Sequence, residues 1–229
     1  MHPYIYAQQN PDKPAYIMAY SGEIITYKEL DERSNQIANF FRDRNISQGD
    51  HIAIFLENNA RFTEILWAAQ RSGIYYTPIS SRLTAPEVEY IIRDCGAKMI
   101  ISSKALSNVA EELTKLIKDI QERYIIDCEI EGWNSFEKYI SGMPKEPIKD
   151  EMMGQDMLYS SGTTGKPKGI KLPLQKIPIE QSEGLMAGVS ALYGTNEDTI
   201  YLSPAPLYHA APLRFTMGVN YVGGTNIIM

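Results

Sequence analysis

Residues 159–170 read YSSGTTGKPKGI, which crowds four serine and threonine hydroxyls, three glycines and two lysines into one short run. The hydroxyls belong to Ser160, Ser161, Thr163 and Thr164, the glycines are Gly162, Gly165 and Gly169, and the lysines are Lys166 and Lys168. This is the chemistry of a polyphosphate cradle. Glycine lets backbone N–H groups turn toward an anion with no Cβ in the way. Hydroxyls donate further hydrogen bonds, and ammonium groups strengthen them with charge. Spacing excludes two commoner phosphate motifs. A Walker A loop needs Gly-x-x-x-x-Gly-Lys-Ser/Thr opening into a helix, but Pro167 and Ile170 stand where the second glycine would fall after Gly162 and Gly165. Pro167, Pro173 and Pro178 oppose a long helix behind the loop. No Gly-x-Gly-x-x-Gly follows a strand, which removes the dinucleotide-binding pattern.

The run resembles the signature of the adenylate-forming (AMP-binding) superfamily, whose members are acyl- and aryl-CoA ligases, luciferases and the adenylation domains of peptide synthetases. Every position from Met157 to Lys168 is compatible with that signature. Segments 25–41 (ITYKELDERSNQIANFF), 49–58 (GDHIAIFLEN), 62–80 and 89–103 resemble the family's opening segments in the same order. Segment 201–215, YLSPAPLYHAAPLRF, resembles its acyl-substrate motif built around a histidine. The resemblance points to the acyl-CoA synthetase branch. It implies that 1–229 is a partial N-terminal AMP-binding domain, truncated at its C-terminal end and lacking the C-terminal lid domain.

The chemistry implied by the resemblance has two steps. A carboxylate attacks the α-phosphorus of ATP and pyrophosphate leaves, giving an acyl-adenylate. The thiol of coenzyme A then attacks the acyl carbon and expels AMP. Donors and cations around the leaving pyrophosphate lower the first barrier. Ser160, Ser161, Gly162, Thr163, Thr164 and Gly165 are assigned as the cradle, with Lys166 and Lys168 as charge partners. Thr163 and Thr164 are placed nearest the leaving group and join Lys168 and His209 as the catalytic set; which lysine dominates stays open. Magnesium is expected to bridge the phosphates, since it prefers phosphate oxygens and water to an all-protein cage. No residue is assigned as a metal ligand. By the same resemblance His209 touches the bound carboxylate and adenylate, and Tyr208, Ala210, Ala211 and Pro212 shape the pocket mouth. The small residues beside His209 favour a fatty or other extended acyl group over a compact amino acid.

One near match is rejected. Residues 193–197, YGTNE, echo the family's aromatic-Gly-x-Thr-Glu motif, but Asn196 replaces the threonine and the run precedes His209. A glycine helix stop followed by an Asn/Asp turn explains it. Other acceptors and roles remain open: an acyl-adenylating domain that loads a carrier protein, or a non-catalytic nucleotide- or acyl-binding remnant.

Composition limits the alternatives. The charge is −6, from 22 Lys+Arg against 28 Asp+Glu, and no basic stripe suggests a nucleic-acid partner. Cys95 and Cys128 form no CxxC motif and are read as core-like thiols in a reducing compartment. His2, His51 and His209 lack the spacing of zinc ligands. The N-terminus has no basic and apolar signal pattern, and no apolar run could span a bilayer. A cytoplasmic ligase is the expectation.

The elements that must hold these residues follow from period and punctuation. A hairpin is expected at 15–20 and 23–27, then a helix capped by Thr26 and Glu29. Strands at 51–56, 74–78, 98–102 and 123–127 alternate with helices. These helices carry Phe62, Ile65, Leu66 and Ala69, then Val88, Ile91 and Ile92, then a stripe from Leu106 to Ile120 that includes Leu116. The fold class is therefore α/β, βαβ layers with a mostly parallel sheet plus additional β structure. A strand at 155–159 feeds the loop. Leu185, Met186, Val189 and Leu192 suggest a helix, followed by a strand at 199–203, a helix near 212–221 and a last strand at 225–229. That last strand is expected to lack neighbours and to self-associate, so that a homo-oligomer or a missing C-terminal half would cover it. The isolated chain is expected to make no acyl-CoA.

Overall fold

The computed structural model describes residues 2–160, 166–181, 188 and 191–229. The first half contains α1 (Tyr4–Gln9), β1 (Pro14–Met18), β2 (Ile24–Thr26), α2 (Tyr27–Asp43), β3 (His51–Phe55), α3 (Ala60–Arg71), β4 (Tyr75–Ile79), α4 (Ala85–Cys95) and β5 (Met99–Ser103). The second contains α5 (Ser107–Leu116), β6 (Glu122–Ile126), β7 (Asn134–Ser135), α6 (Phe136–Ile140), β8 (Gln155–Ser160), β9 (Lys168–Lys171), β10 (Ile200–Ser203), α7 (Ala210–Tyr221) and β11 (Thr225–Ile228).

Local signals act as the sequence predicts at the helix ends. Thr26 Oγ1 accepts from the Glu29 N–H at 3.2 Å, and Glu29 Oε2 accepts from the Thr26 N–H at 2.9 Å. Such a box satisfies two donors that a helix start otherwise leaves without partners. Thr84 and Glu87 repeat it at α4, where the Thr84 N–H reaches Glu87 Oε2 at 2.8 Å. Gly96 ends α4 in the left-handed region at φ 68°, a conformation that costs glycine little.

Seven strands form one sheet in the order β7-β6-β5-β3-β4-β8-β9, parallel except for β8 with β9. The chain steps from β3 outward to β4, then back across β3 to β5 and β6. Right-handed crossovers in opposite directions place their helices on opposite faces. The packing follows that rule. Val88, Ile91 and Ile92 of α4 and Ala110 and Leu113 of α5 share one core with Ala53, Phe55, Ile100 and Ile125 of the sheet. Leu30, Ile37 and Phe41 of α2 and Phe62, Ile65 and Trp67 of α3 share the other with Ile52, Ile54, Ile101 and Tyr124.

A second sheet, ordered β10-β11-β1-β2, covers the outer side of α2 and α3. Tyr16 of β1 donates to the Ala60 carbonyl at 2.8 Å, and Tyr27 of α2 donates to the Gly224 carbonyl at 2.6 Å. Asn220 of α7 donates to the Ala15 carbonyl at 2.9 Å. These are buried polar groups that need partners, and they tie the second sheet to the helices beneath it. The fold class is thus mixed α/β with mostly parallel sheets.

Several expectations are corrected. The last strand is not an edge: β11 lies between β10 and β1 and pairs in parallel with both. The edges of this sheet are β10, where Ile200 and Leu202 face solvent, and β2, where Ile24 does. Helix α5 ends at Leu116, which is exposed, because the stripe continues only as a turn bringing Ile117 into the core. Cys95 is buried, whereas Cys128 is half-buried and packs at the rim of the core. Helices α1 and α6 and strands β7 and β9 are additional to the elements read from sequence. Of the helix expected near 185–192, Leu185, Met186 and Val189 lie outside the described residues, and Leu192 is exposed.

Candidate functional site

The phosphate loop hangs between two strands. β8 pairs with β4 only at Gln155 and Asp156, and its remaining residues pair with β9 alone. In that hairpin Tyr159 faces Gly169 and Ser160 faces Lys168. Gly169 sits under side-chain tips: a Cβ there would lie 2.4 Å from Met157 Cε and 2.9 Å from Tyr159 Cζ, so a larger residue would have to displace them. Ser160, Lys166 and Lys168 are all exposed at the mouth of the hairpin. Ser161, Gly162, Thr163, Thr164 and Gly165 lie outside the described residues.

Helix α4 meets the loop on both sides. The Tyr159 hydroxyl donates to Asp94 Oδ2 at 2.5 Å, and the Tyr90 hydroxyl donates to the Pro167 carbonyl at 3.2 Å. The Lys166 ammonium stands over the Tyr90 ring, 4.9 Å from its centroid. Burial and the Asp94 acceptor push the Tyr159 phenol well above its ordinary pKa, so it is a donor at neutral pH.

His209 occupies the N-cap of α7 and is exposed. Its side chain makes no capping bond, which leaves the positive end of the helix dipole open beside the imidazole. Ala210 and Ala211 are exposed with it, while Tyr208 and Pro212 are buried. The segment before His209 is held by Asn58, just beyond the carboxyl end of β3. Asn58 Oδ1 accepts from the Leu207 N–H at 2.8 Å, and Asn58 Nδ2 donates to the carbonyls of Ala205 and Met229 at 3.3 and 2.6 Å. The phosphate loop leaves the carboxyl end of β8. The two candidate segments therefore gather at the same end of one parallel sheet, where α/β sheets place their ligands.

A cavity of about 120 Å³ lies behind this site, walled by Leu213 and Met217 of α7, Tyr76, Gln70, Gly154 and the Arg214–Asp156 pair. Leu213 and Met217 are buried in the first two turns of α7 after His209, so the cavity lies along the helix that the histidine starts. Tyr76 donates to Gln70 Oε1 at 3.0 Å. Among the described residues no group of three or more His, Cys, Asp or Glu could hold a metal ion.

Sequence reasoning missed Tyr90, Asp94, Asp156 and Arg214. The one signal for the first two was their i,i+4 spacing on α4, which a solvated face also shows. The rejected match at 193–197 is a turn: Gly194 has φ 63°, and Asn196 Oδ1 accepts from the Asp198 N–H at 2.9 Å.

Comparison with known proteins identifies the family and the fold. Residues 5–229 match the family model described as AMP-binding enzyme. The fatty acid–[acyl-carrier-protein] ligase ScoC of Streptomyces coeruleorubidus is 30% identical over 171 residues, covering 73% of this chain and 31% of its own length. The long-chain-fatty-acid–CoA ligase FadD13 of Mycobacterium tuberculosis is 27% identical over 218 residues, covering 90% of this chain and 40% of its own. The inhibitor-bound N-terminal domain of FACL13 from Mycobacterium tuberculosis superposes with a TM-score of 0.84 at 22% identity, covering 100% of this chain and 56% of that one. The chain thus spans about a third to two-fifths of the length of these curated relatives. Among the described residues no helix is long and apolar enough to cross a membrane.

Proposed function

We propose, because this chain belongs to the AMP-binding enzyme family, that the whole protein uses ATP to activate a carboxylic acid and passes the acyl group to coenzyme A. The observation that carries this reading is the gathering of the His209 segment and the phosphate-loop stems at one end of the parallel sheet, held by Asn58 and by β8.

In the first step an acid oxygen forms a bond to the α-phosphorus, and the bond from that phosphorus to the bridging oxygen breaks. Pyrophosphate leaves with the negative charge. Lys166 and Lys168 meet that charge at the exit of the loop, and Ser160, opposite Lys168 at its entry, offers a hydroxyl beside them. Thr163 and Thr164 remain the hydroxyls assigned nearest the leaving group. Magnesium, when bound, supplies charge neutralisation across the phosphate oxygens. His209 and the open end of α7 orient the carboxylate, and the acid's unreactive part runs along Leu213 and Met217. In the second step the thiol sulfur bonds to the acyl carbon, AMP leaves, and the thiol proton passes to solvent. The exposed Ala210 and Ala211 leave room for an extended acyl chain, and a cytoplasmic location belongs to the same reading.

The test is product analysis of the whole protein with ATP, magnesium, coenzyme A and a panel of fatty and aromatic acids. ATP-dependent appearance of an acyl-CoA supports the reading, and its absence with every acid overturns it. A second reading, transfer to a carrier protein, is favoured by the similarity to a carrier-protein ligase. A pantetheinylated carrier in place of coenzyme A discriminates the two.

A further inference from the structure

The last residues of β8, from Met157 to Ser160, have left β4 and pair only with β9. The hairpin that carries the phosphate loop therefore needs support from outside the sheet. Helix α4 supplies it. Tyr90 and Asp94 stand at i,i+4, one turn apart on one face. Asp94 receives the Tyr159 hydroxyl from the strand entering the loop, and Tyr90 donates to the Pro167 carbonyl on the way out. Asp94 is exposed and Tyr90 half-buried at the rim of the core, outside the buried face of α4 built from Ala85, Val88, Ile91, Ile92 and Cys95. Elsewhere the helix and the loop exit stand apart across an open cleft of about 610 Å³.

The choice of groups also suits an anion site. Lys166 rests over the Tyr90 ring at 4.9 Å from the centroid. Glu87, Glu89 and Asp94 line the same cleft, but a carboxylate in place of the ring would offset the charge that a phosphate needs. An aromatic face attracts the ammonium electrostatically and leaves its N–H donors to an anion.

We propose that Tyr90 and Asp94 are positioning residues for the phosphate loop: together they fix both stems of its hairpin, and the Tyr90 ring sets where the Lys166 ammonium sits. The inference rests on the polyphosphate reading of that loop. Stems fixed in advance lower the entropic cost of presenting the segment between them to a ligand.

The experiment titrates the full-length protein with ATP and with inorganic pyrophosphate, and measures KM for ATP and for the acid. Tyr90→Leu weakens both phosphate ligands about tenfold and Tyr90→Phe, which keeps the ring, about threefold. Asp94→Leu weakens them about fivefold, and Asp94→Asn, which keeps an acceptor oxygen, stays within about twofold of wild type. The double variant Tyr90→Leu/Lys166→Ala binds only about threefold more weakly than Lys166→Ala alone, the loss that belongs to the hydroxyl, since the ring's share acts through the ammonium. KM for the acid and the melting temperature stay unchanged. If Lys166→Ala weakens pyrophosphate binding while Tyr90→Leu and Asp94→Leu do not, the positioning role is overturned and the polyphosphate reading stands. If Tyr90→Leu raises both KM values and lowers the melting temperature together, the contact is merely structural and the inference fails. If wild-type protein binds neither ATP nor pyrophosphate, the polyphosphate reading falls and this inference with it.

Discussion

Arg214 donates through both Nε and Nη2 to one oxygen of Asp156, at 3.1 and 2.9 Å. The helix that starts at His209 is thereby seated on the strand that feeds the phosphate loop. Asp156 is buried and Arg214 half-buried, so removing one partner strands the other in a poorly hydrated place. Asp156→Ala is expected to destabilise the protein by about 2 kcal/mol, the scale of hydrogen bonds to charged groups. Denaturant melts of Asp156→Ala, Arg214→Ala and the double variant check this. The double variant should lose less than the sum of the singles.

His209 is exposed at a helix start and fills no core space. His209→Ala should therefore abolish most adenylation and alter acid preference while the melting midpoint hardly moves. A loss of about 2–5 kcal/mol, the scale of a core cavity, would assign the residue to packing instead.

Lys166 and Lys168 lie at the exit of the loop, with Lys168 opposite Ser160. Replacing both with Ala should raise KM for ATP by about tenfold or more, the effect expected for losing charge-assisted bonds to phosphate. KM for the acid should change little. An unchanged ATP dependence would remove these lysines from the site.

The contrast between what the chain reveals and what it hides is physical. The capping boxes at Thr26 and Thr84, the αL stop at Gly96 and the buried strands at 51–55 and 99–103 depend on neighbours in sequence, so they were legible. The His209 segment and the loop were legible because their residue types are dense in chemistry. Strand β9 was hidden, since Lys168–Lys171 is half polar and becomes a strand only by pairing with β8. The place of β11 between β10 and β1 depends on strands some 200 residues apart (Tyr16 faces Asn226), and no local pattern encodes that. The anchors Tyr90 and Asp94 read as a solvent face until the loop is folded against them.

His51 gives a pH prediction. Its ring stacks on Tyr75 at 4.4 Å, and neither ring nitrogen has a hydrogen-bond partner among the described residues. Burial, and then the Lys171 charge, lower its pKa from 6.5 to about 4, with Asp50 opposing. Between those values the unfolded chain binds a proton that the native state does not, so stability falls as pH is lowered through that window. His51→Phe keeps the stack and should lose less stability between pH 6.5 and pH 4.5 in parallel urea melts. Equal losses in both proteins would show that His51 carries none of the dependence.

The central claim is that the loop and the His209 segment form one site in which an acid attacks the α-phosphorus of ATP. Exchange of labelled pyrophosphate into ATP tests it most directly, because that exchange requires reversible formation of the acyl-adenylate and no thiol acceptor. With the full-length protein, magnesium and a panel of carboxylic acids, label should enter ATP only when a suitable acid is present, and the Lys166→Ala/Lys168→Ala and His209→Ala variants should lose the signal. No exchange with any acid, or exchange that proceeds equally without one, would contradict the account.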